Sequence, residues 1–150
     1  MLDQLQTVFA SFQKNDVKYL VIGGIAAVLY GVPRATFDLD ILIEPSAENA
    51  ERLLKAMIDA GLGTATLTNV DDVLSQEITI FKDKVRLDVQ TSTPGILFED
   101  AWERRVTMNY KGQTLEVVSL PDLIASKRAA GRDVDLQDVS ALEANSSQED

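Results

Sequence analysis

A chain of 150 residues, 45% of them hydrophobic and 25% charged, is sized for one globular domain, burying on folding roughly 70% of the surface its unfolded form exposes. It has no cysteine and no histidine, which excludes disulfides, thiolate or imidazole metal sites, and Ser-His-Asp or Cys-His catalysis, and leaves carboxylate, hydroxyl and cationic chemistry suited to hard ions such as magnesium, calcium or manganese. Its 14 Lys and Arg against 24 Asp and Glu give a formal charge of −10, so non-specific nucleic-acid binding is not expected, although a local basic patch can still read a nucleotide.

Leu2, Leu5, Val8, Phe9 and Phe12 recur at helical spacing and predict an amphipathic helix over 2–14, ended by Asn15 and Asp16. Val17–Ile22 is a β-rich run closed by Gly23-Gly24, after which IAAVLY reads as a short helix stopped by Gly31 and Pro33. From Ala35 to Glu44 the pattern alternates, with Phe37, Leu39, Ile41 and Ile43 on one face and Thr36, Asp38, Asp40 and Leu42 on the other. Ser46 is the expected N-cap of a helix that buries Ala50, Leu53, Leu54, Met57 and Ile58 and ends at Gly61. Residues 62–76 carry no clear period.

Glu77–Lys82 and Val85–Thr91 both alternate around Asp83-Lys84 and predict a hairpin, and Val106–Val118 predicts a second one turning at Lys111-Gly112. A short helix is expected within Pro94–Arg104, and Ser119 with Asp122 three residues on resembles a capping box for a helix running to Gly131. A last helix is expected over Val134–Ala144, making 1–144 a single domain with a polar, acidic tail at 145–150. No apolar run approaches the ~20 residues of a membrane span. The N-terminal MLDQLQ lacks the basic flank of a signal peptide, so cytoplasmic residence is expected.

The carboxylates carry the functional argument. Asp38 and Asp40, two apart on one strand, emerge on the same face about 7 Å apart, opposite a wholly apolar face. Side by side they repel unless a cation stands between them, and a divalent metal is the simplest candidate. In VRLDVQT the apolar Val85, Leu87 and Val89 leave Arg86, Asp88 and Gln90 on the polar face. If the two strands are neighbours, three carboxylates converge. The bland alternative for such a strand is a solvated polar face. Gly23-Gly24, at a strand end and opening a helix, is a bare turn by itself, but its free amides suit a phosphate when paired with an acidic strand.

The stretch YLVIGGIAAVLYGVPRATFDLDILIE, from Tyr19 to Glu44, resembles the signature of the DNA polymerase β-like nucleotidyltransferase superfamily: strand, Gly-Gly or Gly-Ser, short helix, then Asp-x-Asp on the next strand. GVPRATFDLDI and the later SLPDLIASKRAAGRDVDLQDVSAL are similar to small bacterial nucleotidyltransferases related to AbiEii-type toxins and antibiotic nucleotidyltransferases. The resemblance implies an α/β (α+β) fold, with a mixed β-sheet flanked by helices and C-terminal helices beside the cleft. It implies that Gly23 and Gly24 hold a nucleoside triphosphate, that Asp38 and Asp40 bind Mg2+ or Mn2+, and that Asp88 is a third carboxylate acting as metal ligand or general base. Gly24 departs from the many members with Ser there, which removes a hydroxyl that could contact phosphate.

Arg34 precedes the acidic strand and is either a phosphate contact or a surface arginine; Thr36 shares the Asp face, to bond a carboxylate or simply to favour the strand. Lys127, Arg128 and Arg132 form the strongest basic cluster, with Lys127 the first choice for a phosphate and dipole stabilisation at a helix C-terminus the alternative. Asp135 and Asp138 match the family's wording but also suit capping near a helix start, and Trp102 is expected in the core or an interface. The favoured function is metal-dependent transfer of a nucleoside monophosphate from a nucleoside triphosphate to a hydroxyl of a small molecule, protein or RNA. With little room for an acceptor domain, a homodimer mate or a second protein is expected to choose that acceptor. The competing reading is a non-catalytic nucleotide-binding or partner-binding module of a toxin–antitoxin-like system. An open, phosphate-sized cleft around Asp38, Asp40 and Asp88 would discriminate between them.

Overall fold

The structure, a computed structural model, describes residues 2–36 and 38–149. Phe37 and the side chain of Leu2, both expected on apolar faces, lie outside the described residues. In chain order the elements are α1 (Leu2–Lys14), β1 (Tyr19–Ile22), α2 (Gly23–Leu29), β2 (Asp38–Ile43), α3 (Ala47–Asp59), a 3-10 turn (Gly63–Leu67), α4 (Val70–Ser75), β3 (Ile78–Lys82), β4 (Arg86–Gln90), α5 (Phe98–Glu103), β5 (Val106–Tyr110), β6 (Gln113–Val117), α6 (Leu120–Ala130) and α7 (Asp133–Glu149).

The six strands form one mixed sheet in the order β3-β4-β2-β1-β6-β5. Two hairpins, β3–β4 and β5–β6, flank a central antiparallel pair β1–β2, and each joins it through a parallel pairing, β4 to β2 and β6 to β1. The second hairpin turns at Lys111 and Gly112, both at positive φ (48° and 84°), the handedness that a two-residue turn needs to match strand twist. Along β2 the alternation holds: Leu39, Ile41 and Ile43 are fully buried while Asp38 and Asp40 stay partly open on the other face. A one-residue slip would reverse this, and burying each of these aliphatic side chains contributes roughly 1.5–3 kcal/mol, so the register is strongly held.

Helices α1 and α3 pack together, with Ser11 Oγ donating to the Ala56 carbonyl at 2.6 Å between them. Buried Asn49 in α3 accepts from the Lys18 N–H and donates to the Lys18 and Glu44 carbonyls, satisfying backbone groups at the ends of β1 and β2. Ser46 and Ser119 both cap as expected, accepting from the N–H groups of Asn49 and Asp122.

Several elements differ from the expectations, most of them by one or two residues at an end. Strand β2 begins at Asp38 rather than Ala35, because its pairing partners begin there: Asp38 lies opposite Arg86, the first residue of β4. The expected turn at Gly23-Gly24 is instead the first turn of α2, which starts directly as β1 ends. Residues 62–76 fold into the 3-10 turn and α4, held by Thr64 donating to Asp83 through both its N–H and its hydroxyl, and by Asn69 capping Asp72. Helix α7 runs through Glu149 instead of ending at Ala144, since nothing in NSSQE is a glycine or proline that would stop it.

Candidate active site

Parallel pairing of β2 with β4 sets Asp40 opposite Asp88 and Asp38 opposite Arg86. The polar faces of both strands therefore form one floor, under a cleft of about 430 Å3 whose far wall is built by α6 and α7. The nine residues read as carboxylate or nucleotide-binding candidates, Gly23, Gly24, Arg34, Thr36, Asp38, Asp40, Asp88, Lys127 and Arg132, all line this cleft, while Arg128 does not. Asp40 stands opposite Asp88, and its carboxyl is pushed up to about 7. Burial is the main cause, followed by the charge and hydrogen bond of Asp88 and the charge of Asp38, with Arg132 opposing.

Gly23 sits at φ +69°, and a Cβ there would fall 2.3 Å from Asp40 Oδ2, so only glycine lets the start of α2 approach the acidic strand. At Gly24 a Cβ would meet Thr36 Oγ1 at 3.0 Å and Arg34 Nη2 at 3.2 Å. The space that a serine side chain would enter is thus already edged by a hydroxyl and a guanidinium from the loop before β2. Ile22, the N-cap of α2, offers no side-chain acceptor to the first amides of the helix, and Gly23 and Gly24 line the cleft.

The opposite wall pairs its cations with two buried carboxylates, Asp135 and Asp138. Lys127, only 5% exposed, donates to Asp138 Oδ2 at 2.8 Å and lies 3.7 Å from Asp135 Oδ1. Arg34 Nη1 donates to the same Asp138 oxygen at 2.7 Å, and Arg132 grips Asp135 with two bonds of 2.7 and 3.1 Å. Burial pushes the Asp135 carboxyl up, but the hydrogen bonds and charge of Arg132 and the charge of Lys127 outweigh it and hold it below its ordinary value. Asp135 and Asp138, read as capping or dipole residues, are therefore counter-ions. Only Asp135 also touches backbone near the helix start, accepting from the Arg132 N–H at 3.3 Å.

Arg86 was placed on the polar face by alternation but given no role, and it belongs to the floor. Its Nε lies 3.2 Å from Asp88 Oδ1 and 3.7 Å from Asp38 Oδ2. The signal for it was available only in part: the pattern RLDVQ puts Arg86 beside Asp88, while its approach to Asp38 needs the β2–β4 register. Gln90, Thr93 and Pro94 complete the near side of the cleft. Gly95, at φ +85°, brings that segment against α6, where a Cβ would stand 2.7 Å from the Ala125 carbonyl. Trp102 lies outside the cleft, half-buried, stacked on Phe98 at 5.5 Å and covered by the Arg105 guanidinium at 3.8 Å.

As arranged here, no three carboxylates among the described residues are gathered closely enough to hold a metal ion. The donor chemistry nevertheless fits a hard divalent cation: Asp38, Asp40 and Asp88 offer carboxylate oxygens on one face, and the missing side chain of Gly23 keeps the approach to Asp40 Oδ2 clear.

Known structures share the architecture. An antigenic nucleotidyltransferase-like protein from Paracoccidioides brasiliensis aligns with a TM-score of 0.56 at 17% identity, covering 93% of this chain and 75% of that one. A protein of Thermotoga maritima provisionally assigned as a nucleotidyltransferase aligns with a TM-score of 0.56 at 16% identity, covering 95% and 88%. No curated protein matches the sequence. Over residues 2–146 it matches the family described as nucleotidyltransferase of unknown function (DUF6036), and the chain belongs to that nucleotidyltransferase family.

Proposed function

We propose that the cleft transfers a nucleoside monophosphate from a nucleoside triphosphate to an acceptor hydroxyl, with release of pyrophosphate, and that it needs Mg2+ or Mn2+ to do so. The observation that carries this reading is the β2–β4 register, which supports Asp38, Asp40 and Asp88 as one set across the cleft from Arg34, Lys127 and Arg132. Asp38, Asp40 and Asp88 would hold the cation. When bound, a divalent cation supplies charge neutralisation at the phosphates and a lowered pKa for the attacking hydroxyl. The amides of Gly23 and Gly24, with Thr36 Oγ1 and Arg34 beside them, would cradle the triphosphate. Lys127 and Arg132, held by Asp135 and Asp138, would orient it without having to be ordered at the moment of binding.

Charge supports the metal requirement. Four carboxylates (Asp38, Asp40, Asp88, Asp135) and four cations (Arg34, Arg86, Lys127, Arg132) line the cleft, so the lining offers a polyanionic triphosphate no net attraction until a counter-cation arrives. Asp88 would either ligate or accept the hydroxyl proton at its carboxylate. The acceptor is a hydroxyl of a small molecule, protein or RNA, chosen by a homodimer mate or a second protein. A toxin–antitoxin setting rests on the resemblance of residues 31–41 and 119–142 alone.

The test is calorimetry of each of the four nucleoside triphosphates, with and without Mg2+, on wild type and on the Asp38→Asn, Asp40→Asn double variant. Mg2+-dependent binding that disappears in the folded variant is expected. Absence of binding to folded wild type would overturn the catalytic reading in favour of a partner-binding module.

A further inference from the structure

We propose that Arg86 is the resident counter-cation of the acidic floor, that its guanidinium and a divalent cation exclude one another there, and that the site therefore takes up metal together with nucleotide rather than metal alone. The inference rests on the metal-dependent reading above and goes beyond it in assigning Arg86.

The geometry is that of one guanidinium spanning two strands. Register puts Arg86 opposite Asp38, and its side chain reaches along β4 to Asp88, with Nε 3.2 Å from Oδ1 and Nη2 3.5 Å from Oδ2. The same Nε lies 3.7 Å from Asp38 Oδ2. Three acidic side chains on adjacent strands need a cation, and among the described residues Arg86 is the one that touches two of them. A planar guanidinium satisfies carboxylates by lying alongside them. A magnesium-sized ion instead needs oxygens converging on one point at about 2.1 Å. The same oxygens cannot serve both at once.

Arg86 is free to leave. Its side chain is 41% exposed, so rotation can carry the guanidinium off the floor while the β4 backbone and the buried Leu87 and Val89 stay in place. Metal arriving alone must displace Arg86 into a cleft without compensation. Metal arriving with a triphosphate brings phosphate oxygens that can accept the released N–H donors. By linkage, the penalty on metal alone reappears as positive coupling between metal and nucleotide.

The test is Mn2+ binding followed by the EPR signal of the free ion, with and without ATP, on wild type, Arg86→Gln and Arg86→Lys. Arg86→Gln should bind Mn2+ alone about five- to tenfold more tightly than wild type, with the enhancement by ATP reduced by a similar factor. Arg86→Lys, a point charge suited to one carboxylate at a time, should fall between and decides the matter if the glutamine variant does not fold. Metal-free Arg86→Gln should also melt lower than wild type and recover on adding Mn2+, which a purely structural contact would not do. Equal or weaker Mn2+ binding by the variants would overturn the proposal while leaving the metal site standing. Failure of every protein to bind Mn2+, with or without ATP, would overturn the metal-dependent reading and this inference together.

Discussion

The floor and the wall of the cleft use the same side chains in opposite proportion. On the floor Arg86 pairs with two of three carboxylates, Asp38 and Asp88, and burial together with the crowding of like charge pushes Asp40 up to about 7. On the wall three cations, Arg34, Lys127 and Arg132, surround Asp135 and Asp138, and Asp135 is held below its ordinary value despite its burial. The floor is an anionic cluster short of positive charge, and the wall is a lattice of ion pairs with one cation in excess. The difference teaches that an aspartate's chemistry is set by which charges the fold packs against it.

The sharpest way to break the comparison is to remove a floor carboxylate. Asp38→Asn or Asp40→Asn should lower metal-dependent nucleotide transfer by more than about 100-fold, with the melting temperature unchanged or raised because repulsion is relieved. A labelled-nucleotide transfer assay beside a thermal melt checks both. Removal of the wall's central cation should behave in the reverse sense. Lys127→Ala leaves two buried carboxylates short of a partner and should cost about 3 kcal/mol in urea unfolding, because breaking a buried pair exposes the survivor's desolvation cost.

The pH dependence sharpens the contrast further. Asp40 binds its proton more tightly folded, near 7, than at its ordinary 3.8, so the native state carries more protons between those values. Its contribution to stability is lost as pH rises through 7, at no more than about 1.4 kcal/mol per pH unit. Asp135 has the opposite sign: its contribution is present above 3.8 and is lost only as pH falls through its depressed folded value. Urea unfolding of wild type and Asp40→Asn at pH 5 and pH 8 should therefore show the variant gaining relative stability at the higher pH. The smallest effect is expected outside the cleft, where the exposed pair of Arg128 and Glu143 joins α6 to α7. Arg128→Ala should change unfolding free energy by less than about 1 kcal/mol, since solvent screens the pair.

Much of this was legible locally. Alternation over Asp38–Ile43 and Arg86–Gln90 determined which side chains share a face, Ser46 and Ser119 announced their caps, and Lys111-Gly112 announced its turn. These features depend on residues a few positions apart, where the strand and helix periods act directly. The segment 62–76 was opaque for the same reason. It has no apolar period, and its shape comes from the Asn69 cap and from Thr64 meeting Asp83, 19 residues away.

What the sequence by itself determined is a set of faces: an apolar one for the core, an acidic one for chemistry, and a basic helix end. The tertiary structure alone decided how those faces meet. The parallel register aligning Asp40 with Asp88, the reach of Arg86 to Asp38, and the bond between Arg34 and Asp138, 104 residues apart, each depend on the path of the chain between them. Periodicity says where a side chain points along its own element. It says nothing of which distant charge will be packed against it, and it is that partner, through burial and Coulomb interaction, that separates the crowded carboxylates of the floor from those that hold cations in place.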